Sequence, residues 1–326
     1  MSPLRLTFAG GIYDRTEPLR HREVAVKDVD LQFVMIDSPR DIFDRMGGKQ
    51  EFDASEFSSS EFISRAAAAG RDCPFVALPV FPARVFRHGY IYVNRKAGIR
   101  TPKDLEGKRV GVALYTMTAA VWIRGHLAHQ FGVDLSTIQW VEGAILDAGR
   151  HGEPAAPPLL KPARIEHDPA GRSLSELLAA GEIDALTGTQ HPTPHPDIAP
   201  LFPDAHAVER EFYRQTRIFP IMHLVVIRRD VHEKNPWLAQ NLYEAFVESK
   251  KLALKRMHKG HPYMLPWVHD DIHEIDEVFG GDPYPYGIEP NRPTLSALVQ
   301  YLHEQNFIPR APALEELFVT VKTMAP

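Results

Sequence analysis

Thr101-Pro-Lys-Asp-Leu-Glu-Gly-Lys-Arg-Val-Gly-Val112 decides the fold. Threonine ahead of proline caps a helical turn, because the proline ring suits the first helical position. The apolar end of the segment then reads as a new strand, so a second α/β unit begins here. Upstream, residues 4–8, 31–36 and 75–81 are apolar β-type runs separated by helical segments. Ser38-Pro39 opens a helix over 41–46 that Gly47-Gly48 is expected to stop, and Ser58 to Ser60 precede a helix over 61–69. Alternation of this kind predicts an α/β protein with largely parallel sheets covered by helices on both faces.

Downstream, helices are expected near 118–131 and 173–180, with strands near 138–141 and 184–187. The stretches 149–169 and 191–203 are rich in proline and read as irregular surface excursions. Residues 90–94 read as a strand leaving the first lobe and 220–228 as one returning to it. A helix from Asn235-Pro236 then shows an apolar face of Leu238, Leu242, Phe246 and Val247. The expected division is 1–94 plus 218–326 for the first lobe and 95–217 for the second.

The chain has 326 residues, with 42 acidic against 37 basic side chains and a formal charge of -5. These charges form no long single-sign blocks, which argues against nucleic-acid or polybasic membrane partners. Cys73 is the sole cysteine, which excludes an intramolecular disulfide or a thiolate metal cluster. The opening Met1-Ser-Pro-Leu-Arg-Leu lacks the apolar core of a secretory signal; read as a native start, it predicts a cytoplasmic protein. His269 and His273 share one helical face near acidic residues, but a solvated polar face explains them and no metal or other cofactor is expected.

Several segments carry a resemblance: Phe52-Asp-Ala-Ser-Glu-Phe-Ser-Ser-Ser60, Val80-Phe-Pro-Ala-Arg-Val-Phe-Arg-His-Gly-Tyr-Ile-Tyr-Val-Asn94, Tyr115-Thr-Met-Thr-Ala-Ala-Val-Trp-Ile-Arg-Gly125 and Ile218-Phe-Pro-Ile-Met-His223. With Gly181-Glu-Ile-Asp-Ala-Leu186, Asn235-Pro-Trp-Leu-Ala239 and Pro285-Tyr-Gly-Ile-Glu-Pro-Asn-Arg292, they make the chain similar to the 4,5-dihydroxyphthalate decarboxylase family. The resemblance implies a two-lobed, type II periplasmic-binding-protein-like fold with a ligand cleft between the lobes. It also implies cofactor-independent decarboxylation of a hydroxylated aromatic dicarboxylate. The alternative is a non-catalytic binding protein for an aromatic or small carboxylate, since the same fold serves receptors that only bind. A third class, other ring chemistry on this fold, stays open, as does a homo-oligomer.

Decarboxylation of such a ring needs a proton donor and acceptor, a cation for the carboxylate and a partly apolar wall. Arg84, Arg87 and His88 follow a strand, where a doubly wound sheet presents its ligand. Arginine forks match carboxylates, so Arg84 and Arg87 are candidate clamps; His88 is the leading proton carrier. His223 is the rival carrier, a polar side chain inside an apolar strand. For both histidines a structural role bonded within the core is the competing reading. Gly11 permits close approach of a ligand, with Tyr13 as a binding group and Asp14 as a further catalytic candidate. Ser58, Ser59, Thr116 and Thr118 open helices whose free N–H groups suit a carboxylate, though ordinary capping also explains them. Tyr115, Trp122 and Arg124 complete the substrate-binding set, Trp122 as a stacking surface or as core.

Overall fold

The computed structural model describes residues 2–149, 151–152, 157–260 and 264–322. In chain order the elements begin β1 (Leu4–Gly10), α1 (Glu17–Arg20), β2 (Val29–Met35), α2 (Pro39–Lys49), β3 (Ala54–Ser58), α3 (Ser59–Ala69) and β4 (Phe75–Arg84). There follow β5 (Ile91–Asn94), β6 (Arg109–Val112), α4 (Thr118–His129), β7 (Gln139–Glu142), β8 (Ile165–His167), α5 (Leu174–Ala180), β9 (Ala185–Thr187), β10 (Ile198–Pro200) and α6 (Ala205–Thr216). The chain closes with β11 (Ile221–Arg228), α7 (Arg229–Lys234), α8 (Leu238–Met257), α9 (Val268–Phe279), α10 (Arg292–Glu304) and α11 (Leu314–Leu317).

The chain forms two compact units, Met1–Arg84 with Ile221–Ser296 and Pro312–Pro326, and Val85–Pro220 with Ala297–Ala311. The first crossing therefore falls at Arg84, ten residues before the expected boundary at Asn94. The strand that ends there, β5, hydrogen-bonds to β9 and β10 and so belongs to the second sheet. The C-terminal part is likewise shared, because residues 297–311 belong to the second unit and not to the first.

The first unit's sheet has the order β2-β1-β3-β11-β4. The first three strands run parallel, and β11 lies antiparallel between β3 and β4. Leu6, Phe8, Leu78, Val80 and Val225 pack with the apolar stripe of α8, in which Leu238, Leu242 and Phe246 are fully buried. The carboxyl ends of β1 and β3 and the start of β11 thus meet at one edge of this sheet, the edge where open α/β sheets place ligands.

The second sheet has the order β10-β5-β9-β6-β7-β8. Its parallel part, β9-β6-β7-β8, includes the strand read from Arg109 to Val112, preceded by a turn in which the Asp104 carboxylate caps Thr101. The excursion over 191–203 contains β10, an edge strand on which proline is tolerated because its missing N–H faces away from the ladder. The excursion over 149–169 contributes β8; Arg150 and residues 153–156 lie outside the described residues. Helix α2 runs through Gly47-Gly48 to Lys49, contrary to the expected stop. A side chain at Gly47 would meet the Arg65 guanidinium and the Glu61 carboxylate at 3.0 Å, a tight approach to two side-chain ends.

Close packing also acts at Gly125 in α4, where a Cβ would come within 2.1 Å of the Tyr301 ring on α10. Gly125→Ala is expected to destabilise the protein by about 1–3 kcal/mol through overpacking, read as a lower urea midpoint. An unchanged midpoint would show that Tyr301 has room to move. Among the described residues no helix is long and apolar enough to cross a membrane.

Candidate active site

Glu56 is the residue around which the site is built. It lies in β3, Ala-Ser-Glu-Phe-Ser, every residue of which is buried, and only 1% of the Glu56 surface is exposed. A buried carboxylate is costly without partners. Here it accepts three hydrogen bonds: Gly11 N–H to Oε2 at 2.9 Å, Tyr13 O–H to Oε1 at 2.6 Å and His223 Nδ1 to Oε1 at 2.5 Å. Burial by itself pushes the Glu56 pKa up, but the His223 charge and hydrogen bond, with the bonds from Tyr13 and Gly11, outweigh it and hold it below the usual carboxylate value. For Tyr13 burial comes first and the Glu56 anion second, and both push its pKa far upward. The phenol therefore stays a donor.

His223 reaches Glu56 because β11 sits between β3 and β4, pairing His223 with Ser58 on one side and Ala83 on the other. Irregular register on both sides of His223 in the β4 pairing marks a local bulge, a device that re-aims side chains near sites. The imidazole packs edge-on against Phe43 with centroids 4.9 Å apart and keeps 18% of its side chain exposed. An ionised Glu56 holds the proton on Nδ1. Among the described residues Nε2 makes no hydrogen bond.

Three buried or partly buried cations of the first unit have defined partners. Arg84 donates from Nη2 to the Pro285 carbonyl at 3.1 Å and to Asn291 Oδ1, so that nitrogen is engaged with the segment that follows α9. Lys250 in α8 pairs with Asp282 and donates to the Tyr284 carbonyl at 2.9 Å, pinning the same segment. Arg15 lies between two aromatic rings, 4.5 Å from the Tyr13 centroid and 4.0 Å from that of Tyr284. Its Nε donates to the Pro82 carbonyl at 2.7 Å and its Nη1 pairs with Asp14 at 3.0 Å.

The expected site residues therefore separate. Gly11, Tyr13 and His223 converge on Glu56. Asp14 is half exposed and serves as the partner of Arg15. Ser58 caps α3 through Glu61 N–H, while Ser59 is buried with an Oγ that makes no hydrogen bond. In the second unit His88 is 1% exposed, stacked on His126 at 4.9 Å among Phe131, Phe202 and Phe212, with Nε2 on Gln130 Oε1 at 2.7 Å. That is the environment of a core histidine. Arg87 is buried over the Tyr90 ring, and burial, partly offset by Tyr90 and Glu209, pushes its pKa down to about 10. Trp122 is fully buried against Tyr301 and His126 and belongs to the core.

Arg124 is also buried, stacked 3.8 Å from the Tyr115 centroid and bonded through Nε to Gln305 at 2.8 Å and through Nη2 to the Tyr115 carbonyl at 2.9 Å. Burial pushes its pKa down to about 10, against the opposing pull of Tyr115 and Glu142, and its Nη1 makes no hydrogen bond. Thr118 is the buried first residue of α4, with Thr116 two residues before it. Glu56 and Arg15, which contact Tyr13, were not singled out from the sequence. Glu56 was signalled by a lone carboxylate in a short run that is otherwise apolar or small.

Two mixed sheets with these strand orders give a periplasmic-binding-protein-like fold. The periplasmic aliphatic sulphonate binding protein SsuA from Escherichia coli superposes with a TM-score of 0.53 at 14% identity, covering 100% of this chain and 95% of that one. No family model matches. The 4,5-dihydroxyphthalate decarboxylase of Comamonas testosteroni is 36% identical over 324 residues, 98% of this chain and 97% of that protein. The Pseudomonas putida protein of the same name is 37% identical over 218 residues, 66% of this chain and 83% of its own length. The chain belongs to the 4,5-dihydroxyphthalate decarboxylase family, as the resembling segments led one to expect.

Proposed function

We propose that this chain releases carbon dioxide from 4,5-dihydroxyphthalate, with His223 as the proton carrier, Glu56 as the anion that orients it and Tyr13 as a further donor to Glu56. The observation that carries the reading is a partly exposed imidazole whose Nδ1 is held by a buried carboxylate and whose Nε2 makes no hydrogen bond among the described residues. It is supported by the whole-chain similarity to two proteins named for that reaction.

The chemistry follows from the ring. Direct loss of carbon dioxide would leave an in-plane aryl carbanion that cannot delocalise. When the hydroxyl para to the departing carboxylate gives up its proton to solvent, which returns it to the phenolate once carbon dioxide has left, its electrons enter the ring and the carbon bearing that carboxylate becomes basic. The His223 imidazolium, with Glu56 beside Nδ1, delivers a proton from Nε2 to this carbon. The carbon–carboxylate bond then breaks, its electron pair restores aromaticity, and carbon dioxide departs. One proton is consumed for each carbon dioxide released, and the ring itself serves as electron sink, so the route calls for no cofactor.

Incubation of the purified protein with 4,5-dihydroxyphthalate is expected to give 3,4-dihydroxybenzoate and carbon dioxide in equal amounts. Folded protein that binds the dicarboxylate, measured by a raised melting temperature, yet releases no carbon dioxide would sink the reading in favour of a receptor.

A further inference from the structure

We infer that Arg15 is the substrate-positioning cation, holding the carboxylate that stays on the ring while its neighbour is lost; this rests on the decarboxylase reading above. Three observations converge on this residue. The first is its rigidity: the guanidinium is sandwiched between Tyr13 and Tyr284, its Nε is fixed on the Pro82 carbonyl, and its own carbonyl accepts from Ser249 Oγ at 2.8 Å. A fork immobilised before the ligand arrives loses little further entropy on binding.

The second is its unused donor. Among the described residues Nη2 makes no hydrogen bond, Nη1 is paired only with half-exposed Asp14, and the Arg15 side chain keeps 13% of its surface open. Pairs with so exposed a carboxylate contribute little, so Asp14 does not saturate the charge. Arg84 and Lys250, by contrast, spend donors on backbone carbonyls and side chains of the segment after α9.

The third is placement. Two independent paths lead from Arg15 to the imidazole. Its Tyr13 partner donates to Glu56, which holds His223, and its Pro82 partner precedes Ala83, the β-ladder partner of His223. In an ortho dicarboxylate the two carboxylates sit on adjacent ring carbons. A cation linked to the imidazole through Tyr13 and Glu56 would hold one of them and so present the carbon bearing the other to the proton carrier. The chemical class recognised is an aromatic ring with two adjacent carboxylates; a monocarboxylate offers Arg15 the group it holds but has no neighbouring carboxylate to lose.

The test uses Arg15→Met and Arg15→Lys in the full chain, with KM, kcat and competitive inhibition by phthalate, which has both carboxylates and no hydroxyl. Arg15→Met is expected to raise KM for 4,5-dihydroxyphthalate and the inhibition constant of phthalate by roughly 30-fold or more. The effect on kcat is expected to be smaller, and inhibition by catechol, which has no carboxylate, should stay at the wild-type value. Arg15→Lys keeps the charge without the fork and is expected to recover part of the loss. Should Arg15→Met fail to fold, a folded Arg15→Lys variant with wild-type KM and phthalate inhibition overturns the assignment. So does a folded Arg15→Met variant with both values unchanged. If the wild type turns over no substrate but calorimetry shows phthalate binding that Arg15→Met weakens, the decarboxylase reading falls and the Arg15 assignment stands.

Discussion

His223→Gln is expected to lower kcat on 4,5-dihydroxyphthalate by about 10²–10⁴-fold while changing KM by only a few-fold. Glutamine is close in size and polarity but has no titrating group, so ground-state contacts survive and proton delivery does not. The side chain is partly exposed and its ring contact is with Phe43, so the substitution leaves the sheet pairing of β11 in place. A fall in kcat and kcat/KM together marks an interaction made in the transition state, whereas a rise in KM alone marks simple binding. His88→Gln is the internal control. His88 is enclosed by aromatic rings, so its loss is expected to lower the melting temperature and to leave kcat within a few-fold of wild type. Reversal of the two outcomes, with His88→Gln inactive and His223→Gln active, would transfer the proton-carrier role to the second unit.

These two histidines show what the sequence makes legible and what it does not. Both stand beside apolar runs, and the pattern carries no information about which neighbours fill the space around them. His223 stands out in Ile221–Arg228 because a polar side chain interrupts a strand with two buried neighbours. His88 follows the arginines after β4, where a ligand edge is expected, yet the rings that bury it come from residues 131, 202 and 212. No local pattern announces such a nest. Strands and helices were readable because their periodicity is local, and the α8 stripe was named residue by residue for the same reason.

The division of the chain was less legible, because membership of a sheet is decided by hydrogen-bonded partners distant in sequence. β5 follows β4 after six residues, yet its partners are Ala185 to Thr187 and Ile198 to Pro200. Arg15 was invisible for a related reason. Its confinement depends on Tyr284, which no spacing rule connects to it. Glu56, in contrast, was within reach of the sequence: a carboxylate in the middle of a short buried strand has to be paired or titrated, and its partner was already a candidate.

Glu56→Gln is expected to affect both stability and turnover, because the carboxylate accepts from three donors that an amide cannot serve together. If the amide oxygen takes the Oε1 position and accepts from Tyr13 and His223, the NH₂ group faces the Gly11 N–H, donor against donor. If the amide is flipped, the NH₂ faces the Tyr13 hydroxyl and the imidazole. Breaking a buried pair by removing one charge costs about 3–5 kcal/mol, read at pH 7 as a lower urea midpoint. The pH dependence fixes the origin of that loss. Glu56 is held below its ordinary value in the folded protein, so its contribution is fully present above the unfolded carboxylate value of about 4.3 and is lost as pH falls through the lower, folded value. The stability gap between wild type and Glu56→Gln is therefore expected to be widest near neutrality and to narrow below about pH 4. Turnover should fall by at least about 10²-fold, since the anion that holds the Nδ1 proton and stabilises the imidazolium is gone. Glu56→Asp keeps the charge and is expected to lie between the two. A gap that stays constant down to pH 3 would mean that the loss comes from packing alone, and wild-type turnover in Glu56→Gln would remove Glu56 from the proton-transfer pair.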